Sequence, residues 1–150
     1  MLDLIPYVPA VQPALEVFYA ACFAALGWDF DLLGRHADLA NIPATYRRFW
    51  CLFDGNELVG TVALREISSN TAELKRLYIH PARQGKGFGK LLFETALKDA
   101  KRIGYHTLCA DTRRDRAASR HLMESHGFRE TSQYNQNDFA ELFYALDLLP

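Results

Sequence analysis

The stretch from Leu77 to Leu92 constrains the fold most, because it joins a strand-like segment, a glycine-rich turn and the start of an amphipathic helix. Gly85, Gly87 and Gly89 stand at alternate positions of the turn, and glycine permits backbone angles that other residues resist. Such a loop, leading into a helix, points several unpaired N–H groups in one direction, and the helix dipole adds partial positive charge. The stretch therefore predicts an anion site suited to phosphate.

Length and composition predict a single globular domain over residues 1–150. Hydrophobic residues make up 49% of the chain and charged residues 23%, which is typical of globular proteins. The net charge of −1 shows no basic excess, so we expect neither nucleic acid nor an anionic membrane surface as a partner. The longest apolar run, residues 17–26, is too short to span a bilayer, and residues 1–6 lack the basic region of a secretory signal.

The cysteines and histidines favour structural rather than metal-binding roles. The three cysteines, odd in number and widely spaced, predict buried thiols in a reducing compartment, and we expect a cytoplasmic protein. His106 and Cys109 are three apart on a predicted strand and point to opposite faces, while His121 and His126 diverge on a helix. No zinc-ligand spacing is present, so we predict no metal site. The three cysteines are Cys22, Cys51 and Cys109.

The first third of the chain predicts a strand and two helices. The strand begins at Leu2 and ends at Pro9, and a helix over residues 14–26 follows Pro13 and ends at Gly27. Asp29 or Asp31 is expected to cap a second short helix that ends near residue 39. The aromatic residues of this region pack the core, or they line an acceptor pocket, and the two roles are compatible.

The rest of the chain predicts a mixed α/β sheet covered by helices. Glu73, Lys75, Leu77 and Ile79 are expected on one face of the strand before the glycine loop, because side chains alternate along a strand. The predicted elements are a hairpin over residues 49–53 and 58–64, a strand over 72–79, a helix over 87–102, a strand over 106–110, a helix over 116–125, a strand from 128, a polar loop over 134–138 and a strand over 142–146.

Three known phosphate loops do not fit the glycine pattern. A Walker loop requires glycine where this chain has Gln84, and serine or threonine where it has Leu91. The dinucleotide-binding and kinase loops both require a third glycine at the position of Lys90.

The pattern Gln84-x-x-Gly87-x-Gly89 resembles the signature Q/R-x-x-G-x-G/A of the GNAT superfamily of N-acetyltransferases. Residues 73–79 resemble the strand before that loop in the family, and residues 118–128 resemble its last helix and the Gly-Phe that follows. The resemblance implies a mixed, mostly antiparallel sheet of six to seven strands with about four helices on its faces.

The resemblance also implies that acetyl-coenzyme A is the cosubstrate. The arm of the cofactor would pair with Leu77, Tyr78 and Ile79 as a pseudo-strand, and one backbone N–H would polarise the thioester carbonyl. The alternative is a tight turn without a ligand. The loop residues whose N–H groups would bind the pyrophosphate are Gln84, Gly85, Lys86, Gly87, Phe88, Gly89 and Lys90.

The family reaction is direct attack of an amine on the thioester, for which Glu73 is the candidate base, acting through water. The alternative for Glu73 is an ion pair with Lys75 or Arg65 on the sheet. The family places a tyrosine acid where this chain has Met123, whose thioether has no proton to give.

Three routes remain for the leaving thiolate: it departs unassisted, it takes a proton from water, or another group serves, with Tyr134 as the candidate. Arg116 stands where family members often have asparagine to hold the cofactor arm. It belongs to an arginine cluster that contacts the 3′-phosphate of the cofactor or forms a solvated helix face.

Two functions therefore stay open. The first is acetyl-CoA-dependent acetyl transfer to a primary amine of a small molecule or peptide, in a ternary complex. The second is a non-catalytic acyl-CoA-binding sensor, which the absence of the tyrosine favours. The acceptor is not identified, and a homodimer through an exposed edge strand is left open.

Overall fold

A computed structural model describes residues 1–149, which share one seven-stranded sheet in the order β1-β2-β3-β4-β5-β7-β6. The mixed, mostly antiparallel sheet with four α-helices confirms the predicted fold class. The strands are β1 (Leu2–Pro6), β2 (Arg48–Asp54), β3 (Glu57–Glu66), β4 (Thr71–Ile79), β5 (Thr107–Thr112), β6 (Arg129–Thr131) and β7 (Leu142–Asp147). The helices are α1 (Gln12–Ala25), α2 (Ile42–Thr45), α3 (Phe88–Ile103) and α4 (Ala117–Ser125).

Strands β4 and β5 form the only parallel pair among the described strands, and they pair over only four residues each. Residues 71–74 of β4 pair with residues 107–110 of β5, and β4 then continues to Ile79 without a partner on that side. All other pairs are antiparallel. The two strands therefore diverge after Leu74 and open a cleft in the middle of the sheet.

Each face of the sheet carries its own apolar core. On one face, α3 packs against β3 and β4 through Leu92, Phe93 and Ala96, and Met123 of α4 joins the same core. On the other face, α1 packs through Leu15 and Tyr19. A β-carbon on Gly60 of β3 would lie 2.7 Å from Leu92 Cδ1, so a larger residue there would force the Leu92 side chain to shift within the packed core.

A β-bulge in β4 changes the predicted faces of this strand. Thr61 pairs with Tyr78 but Ala63 pairs with Lys75, so Arg76 and Leu77 both lie opposite one residue of β3. Arg76 takes a φ of 54°, a left-handed conformation that is rare for a residue with a side chain. The prediction that Glu73 and Lys75 share a face with Leu77 and Ile79 is therefore wrong.

The structure also corrects the predicted region between α1 and β2. The helix expected from Asp29 or Asp31 to about Leu39 is absent. Residues 28–31 have no regular structure, residues 32–36 form turns, and a 3₁₀ turn over 37–40 and the short α2 follow. The His36 ring explains this, because its Nδ1 accepts the N–H of Asp31 at 3.0 Å. The first strand ends at Pro6 rather than Pro9, since Pro9 begins a 3₁₀ turn.

The three cysteines are buried and free, as predicted. No helix in the described part of the chain is long and apolar enough to cross a membrane. Within residues 1–149, no grouping of three or more histidine, cysteine, aspartate or glutamate side chains could hold a metal ion.

Candidate active site

The glycine loop forms a row of free backbone donors between β4 and α3. The N–H groups of residues 84–90 donate to no protein acceptor within residues 1–149, and Leu91 is the first to bond, to the Gly87 carbonyl at 3.1 Å. Gly85 and Gly87 have φ angles of 78° and 83°, which glycine adopts without steric cost. Gly87 is also the N-cap of α3 and has no side chain to cap the helix. These features together make an anion-binding loop.

Two cavities lie in the cleft where β4 and β5 diverge, and they meet at Tyr78 and Arg116, which line both. The smaller cavity, about 360 Å³, runs from Gln84 of the glycine loop past Ile79 to the first turn of α4. The larger cavity, about 450 Å³, lies between the 28–46 segment, the bulged part of β4 and the loop before β7. The smaller one is placed to hold a ligand bound at the glycine loop, and the larger one is placed to hold a second molecule.

The larger cavity is strongly cationic. Two carboxylates, Asp38 and Asp111, line it against six cationic side chains. Four of the six form ion pairs, but Arg35 and Arg116 pair with no carboxylate in the described part of the chain. The six cationic residues are Arg35, Arg65, Lys75, Arg76, Arg113 and Arg116.

Glu73 lies beside this cavity with no exposed surface. Its Oε1 accepts two hydrogen bonds from Arg65, at 3.0 and 2.8 Å, and Lys75 Nζ lies 3.3 Å from its Oε2. The ion pairs predicted as alternatives, with Arg65 or with Lys75, are both present. Oε2 also accepts the Tyr134 hydroxyl at 2.7 Å, so the two candidate proton-transfer residues contact each other directly.

A family model described as the acetyltransferase (GNAT) family matches residues 15–128 of this chain. The chain belongs to the GNAT acetyltransferase family. This confirms the family predicted from the glycine loop and its flanking motifs.

Solved GNAT structures share the fold across nearly the whole chain. An acetyltransferase of the GNAT family from Staphylococcus aureus Mu50 superposes with a TM-score of 0.89 and is 20% identical. The superposition covers 99% of this chain and 100% of the other. YncA of Salmonella typhimurium, described as an acetyltransferase and solved with its cofactor acetyl-CoA, has a TM-score of 0.75 and 26% identity over 98% and 94% of the two chains.

Several curated relatives have names that refer to acylated amino acids. The N-acetylaspartate synthetase of Rattus norvegicus is 36% identical over 129 residues, which is 81% of this chain and 42% of the relative. Across several such relatives the aligned region covers only 35% to 42% of the relative's length. This chain thus spans less than half the length of these relatives.

The GNAT loop and the cleft in this chain fit the chemical groups of acetyl-CoA. The free N–H groups of residues 84–90 suit a pyrophosphate, since each can donate to a phosphate oxygen. The unpartnered edge of β4 between residues 75 and 79 suits an amide-containing arm, which would pair with Leu77, Tyr78 and Ile79 as a strand does. The predicted cofactor residues therefore lie along one continuous path.

The loop between β6 and β7 is tied to carboxylates of β4 and β5. Asn135 Nδ2 donates to Glu73 at 2.8 Å and to Asp111 at 2.7 Å, and Asn137 Nδ2 donates to Asp111 at 3.2 Å. Burial and the neighbouring charge of Glu73 raise the pKa of Tyr134 well above its ordinary value. These bonds fix the loop as one wall of the larger cavity.

Other residues that line this GNAT cleft belong to no sequence motif. Arg76, at the bulge, donates to both oxygens of Asp38, at 2.9 and 2.8 Å, and thereby holds the 3₁₀ turn on the opposite wall. The guanidinium of Arg35 stacks between Phe139, at 3.5 Å from the ring centroid, and Trp28, at 5.0 Å. These contacts join segments that are distant in sequence, and only the unpaired charge of Arg35 could have suggested a binding role.

Proposed function

We propose that residues 1–150 form one acetyl-CoA-dependent N-acetyltransferase domain that moves an acetyl group to the primary amine of a small molecule or peptide. The single observation that carries this proposal is the meeting of two cavities at Tyr78 and Arg116. Because one cavity begins at the glycine loop and the other is separate from it, donor and acceptor fit at the same time. Direct attack in a ternary complex then needs no covalent enzyme intermediate, and much of the rate comes from positioning.

The protein groups around the junction have defined tasks in this reaction. The N–H groups of the glycine loop bind the pyrophosphate, and the free edge of β4 aligns the thioester, which supplies the acetyl group. Glu73 remains the candidate base, and it would act through water because its carboxylate is fully buried. Tyr134 remains the candidate acid, although its raised pKa and its bond to Glu73 oppose the release of its proton.

The charge of the larger cavity favours an α-amino acid as the acceptor. A cationic cavity repels an ammonium group and so favours the neutral amine that attacks, while an acceptor carboxylate offsets the repulsion. Rat N-acetylaspartate synthetase, named for an acetylated amino acid with two carboxylates, supports the same acceptor class.

The test is a transfer assay on the purified full chain with acetyl-CoA and paired acceptors, each α-amino acid against its decarboxylated amine. Thiol release and mass detection of the product are followed together. We expect kcat/KM for the amino acid to be higher by about tenfold or more, since a charge-assisted hydrogen bond contributes about 1.5–3 kcal/mol. Equal values within each pair would contradict the acceptor class.

The sensor alternative is favoured by one observation, the presence of Met123 where the family acid stands. Both functions predict that acetyl-CoA raises the melting temperature, because it binds only the folded state. Only the enzyme releases thiol with an amine. Cofactor binding without transfer to any amine or peptide would therefore support the sensor.

Arg35 offers a mutational test of the acceptor class. Replacing Arg35 by Gln removes an unpaired cation from the cavity wall, so KM should rise for amino acids and change little for decarboxylated amines. The matched control is Arg102→Gln on α3, whose side chain is 80% exposed and outside the cavity. An equal rise in KM for both acceptor types would show that Arg35 does not recognise the carboxylate.

A further inference from the structure

Arg116 occupies the junction of the two cavities. It is the residue before α4 and lines both cavities together with Tyr78, and its Cζ lies 5.5 Å from the centroid of the Tyr78 ring. Because Tyr78 belongs to the strand edge that would face the cofactor arm, Arg116 lies on the side of the cleft that this arm would occupy.

Asp115 lines the smaller cavity beside Arg116 but pairs with Arg113, at 3.8 Å, and so leaves the charge of Arg116 unpaired. No carboxylate of residues 1–149 forms an ion pair with it, whereas Arg65 and Arg76 on the same cavity each pair with one. Ala117 and Ala118, which follow Arg116, line the smaller cavity, and α4 begins there without a side-chain cap. The first-turn N–H groups of a helix add partial positive charge to that of the guanidinium.

The thiol of Cys22 lines the smaller cavity together with Arg116. Burial raises the pKa of this thiol to about 12, and the positive charge of Arg116 acts in the opposite direction. Cys22 itself is too weak an acid to protonate another sulfur.

Two side chains near the junction are unsuited to protonate a leaving thiolate. Met123 has no proton to give, and the hydroxyl of Tyr134 donates to Glu73 at 2.7 Å. A positive charge beside the sulfur can instead stabilise the leaving thiolate directly, which makes protonation unnecessary.

We propose that Arg116 is a catalytic residue that stabilises the thiolate of coenzyme A as it leaves, in place of the tyrosine acid of the family. The inference rests on the proposed function. In the step, a bond forms between the acceptor nitrogen and the acetyl carbonyl carbon, and the carbon–sulfur bond breaks. The electron pair of that bond stays on sulfur beside the guanidinium, and the proton of the amine passes to water.

The direct test is the pKa of the thiol in coenzyme A bound to the full chain, followed by the ultraviolet absorbance of the thiolate. We expect the bound thiol to titrate at least about one unit below the value near 8.5 of a free thiol, a tenfold gain in thiolate. Arg116→Gln should remove this shift, and Arg116→Lys should keep part of it. The control is Lys101→Gln, which removes an exposed cation at the far end of α3.

A bound thiol in the wild type that titrates at or above about 8.5 would overturn the proposal, whether or not the glutamine variant still binds coenzyme A. An equal shift in wild type and Arg116→Gln would overturn it as well. The kinetic counterpart is a lower kcat in Arg116→Gln with a smaller change in the KM for the acceptor, partly rescued by Met123→Tyr, which restores a proton donor.

The titration needs no acceptor, so the two proposals fail in different ways. A lowered thiol pKa without transfer to any amine would overturn the proposed function alone. Active transfer with an ordinary thiol pKa would overturn the role of Arg116 alone.

Discussion

Replacing Glu73 by Gln tests the buried network that supports the cleft. The carboxylate has no exposed surface and pairs with Arg65 at 2.8 Å and Lys75 at 3.3 Å. Removing one partner of a buried ion pair costs about 3–5 kcal/mol. Arg65 is 39% exposed and Lys75 keeps Asp111 at 3.1 Å, so solvent and a second partner reduce the loss. We expect the free energy of unfolding to fall by about 2–3 kcal/mol.

The assay is urea unfolding followed by circular dichroism, in which the midpoint should fall and the slope should stay unchanged. The matched control is Glu57→Gln. Glu57 pairs with Arg83 at the surface and its side chain is 44% exposed, so its loss should cost about 0–1 kcal/mol. A loss in Glu73→Gln no larger than in the control would refute the view that this carboxylate anchors the cleft.

Glu73→Gln also distinguishes a structural role of Glu73 as an anchor of the cleft from a catalytic role as a base. A base acting through water predicts that Glu73→Gln lowers kcat of the folded protein by about 10²–10⁴-fold, the usual contribution of a general base. An anchor predicts a smaller loss of kcat that follows the loss of folded protein.

Three further changes follow from the structure. Gly87→Glu should abolish acetyl-CoA binding in calorimetry, because a carboxylate enters the donor row and the φ of 83° disfavours a side chain; unchanged affinity would contradict the loop assignment. Burial lowers the pKa of His36, so below about pH 6.5 the unfolded chain binds a proton that the folded chain does not. The free energy of unfolding should therefore fall from about pH 7 to about pH 5 in the wild type, and it should fall less in His36→Gln. A double-mutant cycle on Arg76 and Asp38 should give a coupling of about 1.5–3 kcal/mol in urea unfolding, and additive losses would argue against the pair.

The part of the fold nearest the glycine loop could be predicted because its determinants are local. Gly87 and Gly104, at the two ends of α3, have φ angles of 83° and 105°, and the apolar stripe between them has helical spacing. The faces of β4 could not be predicted, because the extra residue at Arg76 depends on a distant contact. Thr61 donates to the Arg76 carbonyl at 2.8 Å, and Thr61 itself bonds the hydroxyl of Tyr19.

Local helix propensity did not predict the structure of residues 28–46, which form one wall of the larger cavity, because distant contacts determine it as well. Phe23 of α1 stacks on the His36 ring at 4.4 Å between centroids, and this position lets His36 Nδ1 bond the Asp31 backbone in place of a helical turn. Arg76 then fixes the following turn through Asp38. Tertiary contacts from α1 and β4 therefore decide this segment, and helix propensity does not.

The candidate proton-transfer pair shows a further limit of reasoning from motifs. Glu73 and Tyr134 were predicted from separate parts of the sequence for separate tasks, yet they share one hydrogen bond of 2.7 Å. Because the Tyr134 proton already lies in a hydrogen bond to the Glu73 carboxylate, the two groups cannot act as an independent acid and base. Loss of the Tyr134 proton would leave a phenolate beside Glu73 and near Asp111, and both charges raise its pKa. Tyr134 is therefore better suited to hold Glu73 and the loop before β7 in place, which leaves the departing sulfur to the charge of Arg116.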